Sequence, residues 1–134
     1  VFNNIIPATT GASRAVEQVL PTLKGKLSAV SLRVPVNDGS IIDLVTEVEK
    51  PVTREIINEA FSKAAREHLR GIIVCADHEL VSSDIIGSSY SAIIDTYLTA
   101  VQGETLVKML AWYDNEWGYA TRLIDLAAYI GKKL

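Results

Sequence analysis

With 134 residues, 49% of them hydrophobic and 22% charged, the chain has the size and make-up of one folded domain able to bury a core, which argues against intrinsic disorder. A net charge of −3 leaves no basic footprint for nucleic acid, and the longest apolar run, residues 72–76, is far short of the roughly 20 residues needed to cross a bilayer. The one cysteine, Cys75, excludes an internal disulfide or a Cys-x-x-Cys metal site and points to a reducing, cytosolic setting.

The first residues, V-F-N-N-I-I-P, carry no Met, no basic region and no small-residue cleavage pattern, so they read as the interior of a longer chain. Phe2 and Ile5 are then apolar anchors for preceding sequence. Thr9-Thr10-Gly11 opens a helix with an apolar stripe of Ala12, Ala15, Val16, Val19 and Leu20, and Pro21 stops it. Two readings of that start stand side by side. Thr9 or Thr10 caps the helix, or hydroxyl, glycine backbone and helix dipole together take an anion.

Lys24-Gly25-Lys26 is a turn, and residues 27–35 alternate as a strand, with Val30, Leu32 and Val34 opposite Ala29, Ser31 and Arg33. Arg33 serves either an anionic group held over that face or a surface ion pair. Asn37-Asp38-Gly39-Ser40 reverses the chain into a second alternating strand, 41–49, which predicts an antiparallel hairpin with Ile42, Leu44 and Val48 inward. Pro51 ends it. Thr53 caps the next helix, whose apolar face is Ile57, Ala60, Phe61, Ala64 and Ala65, and Gly71 closes it.

Short strands follow at 72–75, 80–84, 92–95, 98–101 and 106–111, with polar turns between them. The octapeptide W-Y-D-N-E-W-G-Y, 112–119, is a strand-to-helix corner leading into a last helix with Leu123, Ile124, Ala127 and Ile130 toward the core. Together these elements predict an α+β fold: a largely antiparallel mixed β-sheet with about three helices packed on one face.

Few residues could carry chemistry. Cys75 sits in an apolar strand and reads as a buried, inert thiol. His68 and His78 share no ligand spacing with each other or with Cys75, so no metal site is expected. Asp43 and Asp84 are candidates for burial in the sheet, without the spacing of a general acid and base. At the corner, the Asn115 amide suits a ligand carboxamide, while Asp114 or Asn115 also suits a helix cap, the reading that local chemistry favours. Anion-binding elements and a corner amide are present without a nucleophile or base.

Several stretches together resemble one family: N-I-I-P-A-T-T-G-A-S-R-A-V at 4–16, L-K-G-K-L at 23–27, L-R-V-P-V at 32–36, E-K-P-V at 49–52, V-S-S-D at 81–84 and W-Y-D-N-E-W-G-Y at 112–119. They are similar, in register over essentially the whole chain, to the C-terminal, catalytic-domain part of glyceraldehyde-3-phosphate dehydrogenase. The resemblance implies an enzyme in which a cysteine attacks the substrate aldehyde, a histidine acts as base, NAD or NADP takes the hydride and phosphate releases the acyl product. Neither the S-C-T-T-N-C motif of that cysteine nor that histidine occurs here. Both, with the nucleotide-binding Rossmann domain, are expected before Val1, so no catalytic residue is assigned.

By the same resemblance, Thr10 and Gly11 match the pair that binds inorganic phosphate, or the substrate phosphate in one pose. Arg33 matches the arginine for the C3 phosphate, Asn115 the asparagine for the nicotinamide carboxamide, and Tyr119 the tyrosine near that ring. The implied parent is a cytoplasmic homotetramer acting on a triose phosphate, with no nucleic-acid or membrane partner, and this chain by itself is expected to be inactive and to bind no cofactor tightly. A structural or oligomerisation fragment, or a related erythrose-4-phosphate dehydrogenase, are the alternatives. One departure is the loop from Pro35 to Leu44, P-V-N-D-G-S-I-I-D-L where many members read P-T-x-N-V-S-V-V-D-L. It changes the turn chemistry beside Arg33 and removes no ligand.

Overall fold

The computed structural model describes residues 3–134, so the expectation for Phe2 lies outside the described residues. The chain forms two compact units, residues 1–37 and 38–134.

In the first unit, strand β1 (Ile6–Thr9) pairs antiparallel with β2 (Val30–Arg33), and helix α1 (Ala12–Val19) lies between them in sequence. A 3-10 turn at Pro21–Leu23 follows α1, where Pro21 cannot continue the helical hydrogen bonding. Gly25 adopts φ +73°, and its N–H donates to Glu17 Oε1 at 2.9 Å, which ties the turn back to the helix. No residue of α1 is buried.

The second unit is built on a four-stranded sheet in the order β3-β6-β5-β4, formed by β3 (Ser40–Glu47), β6 (Leu106–Tyr113), β5 (Ala92–Gln102) and β4 (Ile73–Cys75). β4 runs parallel to β5 and the other pairs are antiparallel, so the expected α+β fold with a largely antiparallel mixed sheet is what forms. Helix α2 (Arg54–Arg66) starts at Thr53, whose Oγ1 accepts the Ile56 N–H at 3.3 Å. The helix lies over β4 and β5. Beneath it, Ile94, Met109 and Ala111 form the core cluster, with Phe61, Cys75 and Ala92 packed against it.

The ladder between β5 and β6 shifts register between Asp95 and Ala100. The backbone there finds other partners: Arg54 Nη2 donates to the carbonyls of Thr96 and Tyr97 at 3.0 and 2.9 Å, and Asn58 Nδ2 donates to Thr96 O at 3.0 Å. The strand nonetheless runs on through this shift, so the two strands expected at 92–95 and 98–101 are one, β5.

Four other expectations are corrected. Residues 30–33 and 40–47 form no hairpin, because β2 pairs with β1 and β3 with β6. The connection includes Pro35, which has no N–H to donate, and is longer than the two residues that a tight hairpin turn allows. Residues 82–85 form a 3-10 turn, not a strand, with Asp84 Oδ2 accepting the Val81 N–H at 2.8 Å. Ile42 and Leu44 face the α2 side through their partners Ala111 and Met109, yet they stay 49% and 39% exposed, since α2 covers β4 and β5. Leu123, Ile124 and Ile130 of helix α3 (Trp117–Gly131) are likewise exposed.

Candidate functional site

In the first unit, Thr10 follows the end of β1 and Gly11 stands at the start of α1. The Ala12 N–H donates to Thr10 Oγ1 at 3.2 Å, so Thr10 satisfies one of the free N–H groups of the first helical turn. Gly11 is different. Its φ of −88° is one that any residue adopts, and a Cβ built there meets no atom within 4 Å. Neither backbone conformation nor packing in the described chain requires a glycine at that place.

Arg33 stands opposite Ile6 in the ladder, and Ser31 opposite Ala8. Residues that pair share a face, so Arg33, Ser31, Ile6 and Ala8 lie on one side of the ribbon, and Ser31 Oγ donates across it to Ala8 O at 3.3 Å. Thr9 faces Val30 at the far end, which puts Thr10 about 13 Å along the ribbon from Arg33 at ~3.3 Å per residue. An extended arginine side chain, with bonds of about 1.5 Å, covers roughly half of that span. The Arg33 guanidinium and the Thr10 hydroxyl therefore do not meet at one point of the ribbon. The Arg33 guanidinium is exposed and makes no ion pair or hydrogen bond among the described residues, so the surface pairing weighed from sequence does not form there.

The second unit carries Asn115 and Tyr119 on the corner between β6 and α3, both exposed, Tyr119 by 66%. The cap left open between Asp114 and Asn115 falls to Asp114. Its Oδ1 accepts the N–H groups of Glu116 at 3.0 Å and Trp117 at 2.7 Å, and its Oδ2 accepts the Gly87 N–H at 2.8 Å. Asp114 is 3% exposed. The Gly87 and Trp117 N–H groups hold its carboxyl below the ordinary carboxylate value; burial opposes them, and the Glu116 N–H and a hydrogen bond with Asp38 add to the lowering. Released from capping, the Asn115 amide keeps donor and acceptor free among the described residues, which fits a carboxamide presented from solvent.

Carboxylate oxygens of Asp38, Asp114 and Glu116 come within 4.8 Å of one another, close enough to share a cation. Both Asp114 oxygens already accept backbone N–H groups, so the cluster is accounted for as the cap of α3.

Of the two carboxylates expected in the sheet, Asp43 pairs with Lys108 at 2.8 Å on the surface and Asp84 is exposed in its 3-10 turn. The buried ones are Asp114 and Asp95. Asp95, 1% exposed, accepts the Trp112 indole N–H at 3.1 Å through Oδ2, while Oδ1 has no partner among the described residues. The signal for that pair was an aspartate inside an apolar strand with a tryptophan on its neighbour, and a reading by strands alone passes over it.

Residues 1–115 match the family described as glyceraldehyde 3-phosphate dehydrogenase, C-terminal domain. The chain belongs to that family. It is 50% identical over 131 residues to glyceraldehyde-3-phosphate dehydrogenase 2 of Streptomyces avermitilis, covering 98% of this chain and 39% of that protein. It is 51% identical over 131 residues to the chloroplastic glyceraldehyde-3-phosphate dehydrogenase GAPB of Arabidopsis thaliana, covering 97% of this chain and 29% of that protein. These 134 residues thus span about two fifths or less of the relatives they match. Asn115 is the last residue of the family match, and Tyr119 lies just beyond it.

Proposed function

We propose that this chain is the phosphate-recognising and nicotinamide-orienting part of a phosphorylating glyceraldehyde-3-phosphate dehydrogenase. Such an enzyme oxidises glyceraldehyde 3-phosphate to 1,3-bisphosphoglycerate, with NAD or NADP as hydride acceptor, in glycolysis. Arg33 holds the substrate C3 phosphate as a charge-assisted, forked donor. Thr10 and Gly11 hold inorganic phosphate at the start of α1, where the helix dipole favours negative charge. Asn115 fixes the nicotinamide carboxamide, with Tyr119 near the ring. The nucleophilic cysteine and the base belong to sequence outside these 134 residues.

The observation that carries this reading is Gly11, a glycine with open space around it and no unusual φ, at the free end of a helix whose neighbouring hydroxyl is Thr10. Close approach of a ligand to the backbone accounts for its missing side chain. In the full-length protein carrying this segment, Arg33→Ala is expected to raise KM for glyceraldehyde 3-phosphate, and Gly11→Val to raise KM for phosphate. Unchanged KM values in both variants would refute the assignment.

By itself the chain is a weak binder. Charge-assisted hydrogen bonds contribute about 1.5–3 kcal/mol each and a helix end about 0.3–1 kcal/mol, while roughly 4 kcal/mol corresponds to a millimolar constant. No NAD reduction is expected from it. Activity with glyceraldehyde 3-phosphate and phosphate that survives Cys75→Ser would contradict this.

A second reading rests on the apolar side chains that β3 and α3 expose, among them Ile42, Val45, Ile124 and Tyr129. We assign to them the subunit and domain contacts of a cytoplasmic homotetramer. Light scattering of the isolated chain separates the readings: self-association without a phosphate response favours assembly alone.

A further inference from the structure

We propose that Asp114 is a positioning residue for Asn115, acting by clamping the corner between β6 and α3 onto the loop Gly87-Ser88-Ser89-Tyr90. The inference rests on the reading of Asn115 as the partner of the nicotinamide carboxamide.

The corner has to present one exposed side chain in a fixed direction although its own strand has ended. Asn115 lies between the last strand residue pair and the first helical turn, with no burial to hold it. What fixes its backbone is the residue before it. One oxygen of Asp114 accepts the two N–H groups that follow Asn115, those of Glu116 and Trp117, and so closes a loop of backbone around it. The second oxygen reaches across to the Gly87 N–H.

Two further contacts join the same loop to the same helix start. Trp117 Nε1 donates to Ser89 Oγ at 3.0 Å. Gly118 approaches Tyr90 so closely that a Cβ would stand 2.9 Å from the Tyr90 carbonyl oxygen. Three positions of the loop, Gly87, Ser89 and Tyr90, thus meet three positions of the corner, Asp114, Trp117 and Gly118, all in the second unit. A helix cap alone needs only the Glu116 and Trp117 bonds; the Gly87 bond and the Ser89 bond add nothing to capping and set where the corner points.

Asp114→Asn separates the two roles, because an asparagine keeps one acceptor for the cap and turns an NH2 toward the Gly87 N–H. The test uses the full-length dehydrogenase carrying this segment, with NAD and with 3-acetylpyridine adenine dinucleotide, whose ring substituent has a methyl in place of the carboxamide NH2. Asn115→Ala is expected to narrow the ratio of kcat/KM between the two dinucleotides about tenfold, the loss of one hydrogen bond. Asp114→Asn should narrow it in the same direction, leaving KM for the triose phosphate unchanged, and Ser89→Ala should follow more weakly. If Asn115→Ala narrows the ratio and Asp114→Asn does not, or slows both dinucleotides equally, the clamp is overturned and the carboxamide reading stands. If Asn115→Ala leaves the ratio intact, that reading falls and takes the clamp with it. Should Asp114→Asn fail to fold, Ser89→Ala decides: a narrowed ratio supports the clamp and an unchanged ratio overturns it.

Discussion

The Trp112 indole N–H donates to Asp95 Oδ2 at 3.1 Å, diagonally across the β5–β6 pair on the face away from the α2 core. Ile93 stands opposite Trp112 and Asp95 opposite Leu110, so the bond links residues two positions apart on the ladder, within reach of a large ring. It anchors the strand two residues before Asp114. The second Asp95 oxygen, buried and without a partner among the described residues, makes the pair asymmetric in its energetics.

That asymmetry predicts opposite outcomes for two substitutions. Asp95→Ala leaves the indole N–H unpaired and is expected to cost about 1–3 kcal/mol of unfolding free energy. Asp95→Asn keeps an acceptor for Trp112 and removes the buried negative charge, so it should stay within about 1 kcal/mol of wild type or exceed it. Urea unfolding checks both, and equal losses in the two variants would contradict the assignment.

Gly118 and Gly11 should behave oppositely on adding one methyl group. Gly118→Ala drives a Cβ to 2.9 Å from the Tyr90 carbonyl oxygen and lowers the melting temperature. Gly11→Ala meets open space, leaves stability within about 0.5 kcal/mol, and weakens phosphate binding. Thermal unfolding of the two variants measures the contrast.

Acid should loosen the corner through Asp114. Its carboxyl is held below the ordinary value of 3.8, first by the Gly87 N–H. The stabilisation is therefore complete above that ordinary value and is lost as pH falls from it through the depressed folded value, where the unfolded state binds more protons. Hydrogen exchange of the Gly87 and Trp117 amides is expected to accelerate in that window. Asp114→Asn should remove this pH dependence, and an unchanged profile in the variant would count against it.

The irregular stretch of β5 depends on α2. Removing Arg54 and Asn58 together, as Arg54→Ala with Asn58→Ala, strips the Thr96 and Tyr97 carbonyls of three side-chain hydrogen bonds. A loss of about 1 kcal/mol per bond is expected, with faster exchange confined to residues 96–99. Uniform acceleration across the sheet would show instead that α2 packing was lost.

Local chemistry made some of this legible in the sequence. Thr53 announces its cap, Pro21 its stop, and the β5–β6 hairpin is marked by Gly103, which takes φ +63°. Strand pairing was not legible, because alternation says which residues share a face and nothing about the neighbour. Residues 30–33 and 40–47 both alternate, yet their partners are β1 and β6, and the β3–β6 partners stand 59 (Glu47 to Leu106) to 73 (Ser40 to Tyr113) residues apart in sequence. Burial was misread for a related reason: Ile42 and Leu123 have the right spacing for a core face, and the chain described here supplies nothing to cover them. At the candidate site, periodicity places Asn115 on a corner, but only the folded corner separates the residue that caps from the one left free, since Asp114 and Asn115 have the same capping chemistry.

We propose above that the start of α1 and the Arg33 guanidinium bind phosphate. Titration of the 15N-labelled chain with inorganic phosphate, following the Thr10 and Gly11 amides and the Arg33 side-chain Nε–H, tests it most directly. Saturable shifts at those groups with a constant of about a millimolar, abolished at the amides by Gly11→Val and at the guanidinium by Arg33→Ala, are the predicted result. Shifts spread evenly over the exposed lysines and arginines, with none at the Gly11 amide, would contradict it.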